Sequence, residues 1–377
     1  MNFNTPDESR NQCMLTGSLR RHGYDWWWHS FTARDAETGE EKSFFIEYFL
    51  VNPALGGPKP ILGQLPQNIQ AGRRPSYLMV KAGCWGKDAR QLHRFFGWDE
   101  VQVRMGPSFQ VKAGDCFASE KTLRGSVDIP DADAAAHPEW MCDAGSMSWD
   151  LTLEKKTAFN VGYGTSWPLR AIKAFEMYWH AQGMKTQYTG SVVLDGRRYV
   201  ADGPTSFGYA DKNWGRGFTT PWVWLSSCDL TSRITGRHLE DTVFDIGGGR
   251  PKVFFVGLPR KLLGAIWYEG RGYEFNFSKF WTGSTTCFDC HVEADRIVWH
   301  VEQDTMRARL VTDVWCEKSD MLLVNYEAPD GSKRHNRLWN GGNGHGRLQL
   351  FEKRGHDLVL IDDMDARHIG CEYGEYA

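Results

Sequence analysis

The sequence predicts an all-β protein built from antiparallel barrels or sandwiches, on three observations. Short segments rich in aromatic and branched residues recur along the whole chain. Aromatic residues reach 14% beside 40 glycines, which pairs bulky strand formers with turn formers. At 377 residues the chain exceeds one typical domain, and 41% apolar content is enough for a sizeable core.

The strand-like segments, in order, are 43–51, 77–81, 100–111, 191–200, 221–230, 252–258, 296–301, 306–315, 321–326 and 347–352. Within 191–200, Val192-Val193-Leu194 is followed by Asp195-Gly196 and then Arg197-Arg198-Tyr199-Val200. Asp-Gly tolerates the positive φ of a tight hairpin turn, so antiparallel pairing is expected there. The best helical candidate is 168–182, opened by Pro168 and followed by Gly183. One short helix among many strands favours barrels or sandwiches. No fixed-period repeat or low-complexity tract is present. The Gly/Thr/Pro stretch 215–221 marks a junction, giving domains at 12–215 and 216–377.

Charge and cysteine usage bound the function. Lys plus Arg number 44 and Asp plus Glu 47, a net charge of −3, so no basic surplus is available for nucleic acid. Residues 1–12 are polar with both charge signs, unlike a secretory signal, and no apolar run approaches the roughly 18 to 20 residues of a membrane span. Nine scattered cysteines, an odd number, suit a reducing compartment. The expected location is therefore cytoplasmic, with no membrane span; the oligomeric state is left open.

Several motifs are weighed and set aside. Cys287-Phe-Asp-Cys290-His291 has the spacing of c-type haem attachment, but that chemistry belongs to exported chains, and a structural strand or loop is the better reading. A zinc site would need a distant fourth ligand, so no metal is expected. Gly247-Gly248-Gly249 lacks the Lys-Ser/Thr of a phosphate loop and reads as a turn or bulge between strands. No Gly-x-Ser-x-Gly elbow or cysteine-protease context supports nucleophilic catalysis.

Two tryptophan stripes stand out. In Trp26-Trp27-Trp28-His29, strand alternation sends Trp26 and Trp28 one way, Trp27 and His29 the other, so either pair can line a cavity while the other packs a core. Trp222-Val223-Trp224 repeats the pattern, and two such stripes make an apolar pocket with polar tips. The densest polar-aromatic cluster is Tyr209-Ala210-Asp211-Lys212-Asn213-Trp214-Gly215, with Asp211 and Asn213 on one face and Lys212 and Trp214 on the other. Read from composition alone, the cluster is more readily a salt-bridged turn between domains.

That cluster, followed by Gly217-Phe218 and Trp222-Val223-Trp224, resembles the tocopherol cyclase family's succession Glu-Lys-Asn-Trp-Gly, Gly-Phe-Pro and Trp-Phe-Trp. The aromatic start at Trp26 to Trp28, Glu47-Tyr48 with Val51-Asn52-Pro53-Ala54, the approach from Val193 to Tyr199 into Pro204 and Tyr209, and Gly344-His345-Gly346-Arg347-Leu348-Gln349-Leu350 follow in the family's order. Three departures are visible: Asp211 replaces the usual Glu, Tyr24-Asp25 replaces Glu-Gly, and His345 replaces a Tyr. The resemblance implies two lipocalin-like β domains, an architecture shared with carotenoid hydratases and lipocalin-like pericyclases. It also implies action without redox cofactors on a hydrophobic small-molecule substrate.

Ring closure between a phenol and an alkene needs a proton delivered to carbon, a stabilised cation and a base. Asp211 is the expected acid, since burial among indoles raises its pKa. Trp27, Trp214 and Trp224 are expected to face the developing cation. If the alkene is conjugated to a ketone, as in closure of a chalcone to a flavanone, His29 or His345 serves as base and Lys212 or Asn213 as donor to the enolate oxygen. Glu47 with Tyr48, and Tyr178 with His180, are further substrate-binding candidates. The rival function is a non-catalytic carrier or sensor of a lipid-like ligand, which needs only apolar walls and a few polar anchors.

Overall fold

A computed structural model describes residues 6–159, 174–219, 221–253, 256–324, 326–331 and 338–374. Among them the chain is all-β apart from a few short helical turns, the two α-helices being α1 (Pro66–Gln70) and α2 (Asp131–Ala136). Among the described residues no helix is long and apolar enough to cross a membrane.

The first sheet has twelve strands. They are β1 (Tyr24–Asp35), β2 (Glu41–Val51), β3 (Tyr77–Cys84), β4 (Arg90–Phe96), β5 (Val101–Val103), β6 (Gln110–Ala113), β7 (Cys116–Ser119), β8 (Thr122–Ile129), β9 (Gly145–Phe159), β10 (Met177–Leu194), β11 (Arg197–Ala201) and β12 (Gly208–Gly215). All pair antiparallel, in the order 4-3-2-1-11-10-9-8-7-6-5, with β12 wedged between β1 and β10. Both turn residues of the β10–β11 hairpin have positive φ, Asp195 at +48 and Gly196 at +82, as an Asp-Gly turn allows.

The second sheet begins at β13 (Trp222–Ser227) and continues through β14 (Asp229–Ser232) and β15 (Thr242–Gly249). A small separate ribbon, β16 (Lys252–Val253) with β17 (Val256–Gly257), follows. Then come β18 (Lys261–Tyr268), β19 (Arg271–Phe275), β20 (Thr285–Glu293), β21 (Arg296–Asp304), β22 (Ala308–Glu317), β23 (Met321–Val324), β24 (Leu338–Arg354) and β25 (Asp357–Gly374). The order is 19-18-15-13-25-24-22-21-20, with β14 on β25 and β23 on β24.

Each sheet wraps its own core, around Phe31, Tyr48 and Leu151 in the first and around Phe244, Trp299 and Leu350 in the second. A third cluster, including Trp28, Phe49, Trp179, Trp222 and Trp224, fills the gap between the sheets. Strands β1 to β3 therefore bury both faces, which is why β2 and β3 read as nearly unbroken apolar runs.

Several sequence expectations change here. Residues 177–182 of the expected helix belong to β10, while 168–173 lie outside the described residues. The segment bonds to β12 on one side and β9 on the other, and ladder pairing on both edges overrides the helical signals of Pro168 and Gly183. The segment 100–111 splits into β5 and β6, because Gly106-Pro107 turns the chain between them. Within 252–258 only the β16–β17 ribbon forms, residues 254 and 255 lying outside the described set, as does 325 in the segment 321–326. Gly247 to Gly249 form neither turn nor bulge; they end β15 in unbroken register with β18. The Cys287–His291 motif lies on β20, with Cys287 exposed.

A β-bulge ties the sheets together. Opposite His345 of β24, strand β25 spends two residues, Arg367 and His368, and His368 takes a left-handed φ of +47°. The bulge aims the His368 ring at both sheets: Nδ1 lies 2.6 Å from Asp229 and Nε2 2.7 Å from Glu41. Burial alone would lower the His368 pKa, but these two carboxylates raise it to about 9. A raised histidine pKa stabilises fully below the unfolded value and loses that contribution as pH climbs through about 9. Wild-type protein is thus expected to lose up to about 3 kcal/mol between about pH 6.5 and pH 10, and His368→Gln to lack that loss, in chemical unfolding followed across pH.

Candidate functional site

The gap between the sheets holds a small cavity of about 20 Å³. Its walls include Trp26 and Trp28 of β1, Asp211 of β12, Trp222 and Trp224 of β13, and Glu372 of β25. Alternation explains the set: even-numbered residues of β1 and β13, and odd-numbered residues of β12, face the gap. Two glycines make room for the indoles. A Cβ at Gly370 would come 2.1 Å from the Trp224 ring, and one at Gly247 3.0 Å from the Trp179 ring.

Asp211 is 7% exposed. Its Oδ2 accepts a hydrogen bond from Trp179 Nε1 at 2.8 Å, while its Oδ1 has no partner. The Tyr209 hydroxyl donates to Asp245 Oδ2 at 3.1 Å and lies 3.4 Å from Asp211 Oδ2, and Trp224 Nε1 donates to Asp245 Oδ1 at 3.1 Å. Burial pushes the Asp211 pKa well above the usual carboxylate range, and the carboxylates of Glu372 and Glu47 push it further against the Trp179 hydrogen bond. Asp245 is raised likewise, by burial and by Asp211. With Oδ2 occupied as an acceptor, the proton of neutral Asp211 belongs on the unpartnered Oδ1.

A second polar group faces the same gap. Tyr326 donates to Glu47 Oε2 at 2.8 Å, and Lys81 Nζ stands 3.4 Å from the same oxygen and 3.8 Å from the Tyr326 ring centroid. Burial pushes Glu47 up and Lys81 down, both toward neutrality. Glu372 accepts from Trp222 Nε1 and Asn340 Nδ2, each at 2.6 Å, and Asn340 in turn accepts from Trp85 at 2.7 Å. Burial outweighs those two hydrogen bonds and raises Glu372 to about 7.

Of the catalytic and substrate-binding candidates named from the sequence, Asp211, Trp224 and Glu47 meet at this gap. The others lie elsewhere. Lys212 turns to the opposite face, where it pairs with buried Asp25 and sits 4.7 Å and 4.9 Å from the ring centroids of Trp27 and Trp214. Trp27 therefore packs the first core against Phe109 instead of facing the cavity, and Trp26 and Trp28 take its place. His29 follows Trp27 inward: Tyr188 donates its hydroxyl to the Tyr209 carbonyl, so its oxygen accepts from His29 Nδ1 at 2.9 Å. Burial holds His29 and His180 well below the usual histidine range, on the inner face of the first sheet. Tyr48 also points into that core. Asn213 accepts from Tyr24 at 2.8 Å and does not line the cavity. Tyr178 stacks on Trp214 at 5.5 Å, beside recesses next to the cavity. His345 sits in a separate polar cleft lined by Glu41, Lys87, Arg197 and His368.

Asp245, Glu372, Lys81, Tyr326 and Trp179 escaped the sequence reading. Each is a single polar or amphipathic residue, four of them in strands and Tyr326 two residues past the end of β23, with no motif around it; the one usable signal was a charge inside an apolar run, as in Glu47 and Lys81. No group of three or more potential metal ligands occurs among the described residues.

A family model described as tocopherol cyclase-like matches residues 103–375. A rice protein (Oryza sativa subsp. japonica) described as "Probable tocopherol cyclase, chloroplastic" is 32% identical over 123 residues, covering 31% of this chain and 23% of the relative. The Zea mays "Tocopherol cyclase, chloroplastic" is 30% identical over 118 residues, with the same two coverages. The match thus spans about a quarter of each relative's length. Among solved structures, kievitone hydratase from Nectria haematococca aligns over 98% of both chains at a TM-score of 0.50 and 12% identity, a likeness of lipocalin-like fold.

Glu372 gives the site a measurable pH dependence. A carboxyl raised by burial stabilises the fold below its unfolded pKa, and that contribution is lost as pH rises through the folded value. Between the ordinary 4.5 and about 7 the loss amounts to about 3 kcal/mol. Glu372→Gln is expected to remove that part of the slope in urea unfolding across the interval, whatever its baseline stability.

Proposed function

The chain belongs to the tocopherol cyclase-like family, and from that premise we propose a cofactor-independent cyclase that closes an oxygen heterocycle on a hydrophobic phenolic or isoprenoid-like molecule held between the two sheets. The observation that carries the reading is Asp211: a buried carboxyl with an unpartnered Oδ1, held well above the usual carboxylate range by burial, on a residue that lines an indole-walled cavity.

Asp211 Oδ1 transfers its proton to the alkene carbon, leaving a carbocation. The ring faces of Trp28, Trp222 and Trp224 stabilise that charge, at about 0.5 to 2 kcal/mol per well-placed ring. The phenol oxygen then bonds to the cationic carbon and releases its proton to Glu372. That carboxyl lines the same cavity and burial pushes it up to about 7, so its basic form is within reach near neutral pH. The substrate keeps all its atoms, and the proton gained by Glu372 matches the one lost by Asp211. A cavity of about 20 Å³ has room for about one water, so a substrate entering by side-chain displacement leaves little solvent to capture the cation. The unpartnered acid oxygen supports catalysis over carriage, because a carrier has no use for a poised proton.

Incubation with prenylated quinols and with chalcones, followed by chromatography of the ring-closed products, tests the assignment. Asp211→Asn keeps the acceptor for Trp179 and is expected to lower kcat by about 10²- to 10⁴-fold. His345→Ala, outside the cavity, is expected to retain wild-type turnover. Equal rates for wild type and Asp211→Asn on both substrate sets would overturn the proposal.

A further inference from the structure

Glu372 is held by a relay that begins outside the cavity. Trp85 directly follows β3, and its buried ring packs against Phe45 and Trp28 at centroid distances of 4.8 Å and 6.1 Å. It does not line the Asp211 cavity but borders the polar cleft near His368. A Cβ at Gly342 would come 2.2 Å from the indole, so β24 carries a glycine where the ring crosses it. From there Trp85 Nε1 donates to Asn340 Oδ1 at 2.7 Å, and Asn340 Nδ2 donates to Glu372 Oε1 at 2.6 Å. Trp222 Nε1 serves the other oxygen, Oε2, at 2.6 Å, so each carboxylate oxygen has one donor. Asn340 is fully buried and, like Trp85, does not line the cavity.

We propose that Trp85 is a positioning residue: by fixing which end of the Asn340 amide faces Glu372, it keeps that carboxyl able to act as the base. The inference rests on the functional reading above and deepens it by naming the residue that governs the state of the base. The two ends of a carboxamide have nearly the same shape, so packing alone does not choose between them. An indole N–H can only donate, so Trp85 demands the amide oxygen and leaves the amide N–H for Glu372. A donor there favours the carboxylate form. The reversed amide would turn its oxygen to Glu372, a contact that only the protonated acid can satisfy. Burial is the largest influence on this carboxyl, and the Asn340 hydrogen bond is the strongest of those opposing it, ahead of Trp222. The other ionisable groups acting with it are Glu47 of β2 and Lys81 of β3, which push it up and down respectively, Asp211 of β12, Tyr326, and its neighbour Cys371 on β25. None of them is altered by the substitutions below.

The test follows the Glu372 carboxyl directly, by NMR titration of the full chain with isotope-labelled glutamate carboxyls, its resonance identified by its absence in Glu372→Gln. Trp85→Phe keeps a ring in place and removes only the indole N–H. It is expected to raise the Glu372 midpoint by about one pH unit, which below the midpoint is about a tenfold loss of the basic form. Asn340→Leu is expected to raise it at least as far, and adding Trp85→Phe to Asn340→Leu to move it by less than about 0.3 unit more, because Trp85 acts through the amide. The acid limb of the kcat/KM profile for ring closure is expected to shift with the midpoint in Trp85→Phe, its alkaline plateau staying within about twofold of wild type. An unmoved midpoint in Trp85→Phe, or a full second shift in the double variant, would overturn the inference. In wild type the Trp85 indole N–H resonance is expected to move at the Glu372 midpoint and to stay fixed in Glu372→Gln. A resonance indifferent to that midpoint would overturn the inference even where Trp85→Phe does not fold. A raised midpoint with an unchanged rate profile would uphold the relay and remove only the part of Glu372 in the reaction.

Discussion

The molecule depends on how it tolerates carboxyl groups and an amine, among the described residues, between two greasy sheet faces. Asp211, Asp245, Glu47 and Glu372 all face or adjoin the gap, with Lys81 as the cation paired among them. Ionising all four there would cost far more than one amine can offset. The chain avoids that cost by letting burial hold the groups near neutrality and by giving three of them an indole N–H each: Trp179 to Asp211, Trp224 to Asp245 and Trp222 to Glu372. An indole donates a hydrogen bond without adding charge, and its ring supplies the apolar wall at the same time. The tryptophan content, which composition alone presented as bulk, is thus tied to the carboxyls one by one.

Strands β1 and β12 separate this chemistry from structural support. On the gap face stand Trp26, Trp28 and Asp211; on the other stand Trp27, His29 and Lys212, locked into the first core with Asp25 and Tyr188. The Asp25–Lys212 pair is fully buried, so removing one partner strands a charge in the core. The lysine of the motif therefore serves the scaffold, while its aspartate faces the gap. The bulge at His368 adds a third anchor, gripping one carboxylate from each sheet, so the gap between them has a fixed width at that edge.

How much of this could be read from the sequence follows from the range of each signal. The all-β character was legible because alternation and turn chemistry are local, and Asp211 stands out because it sits in a dense cluster matching a known succession. Alternation also divided Trp26 and Trp28 from Trp27 and His29 correctly, but which pair meets the cavity depends on a sheet arriving from residues about 200 positions later, and the choice of Trp27 and His29 was the wrong one. The helix expected at 168–182 failed in its second half for a similar reason, since pairing with β9 and β12 is invisible in a local window. Asp245 and Glu372 carry no motif and acquire meaning only from Tyr209, Trp222 and Trp224 beside them.

Every residue of β12 is buried, and neighbours along it serve opposite compartments. Losing or gaining one residue in 208–215 would exchange the contents of the two chambers, handing an ammonium to the indoles and a carboxyl to the barrel already occupied by Asp25. Side chains here can be swapped one at a time, but the spacing of the strand cannot drift. Variation in the chamber between the sheets must therefore arise from the walls brought by other strands, with this segment acting as the ruler against which they are set.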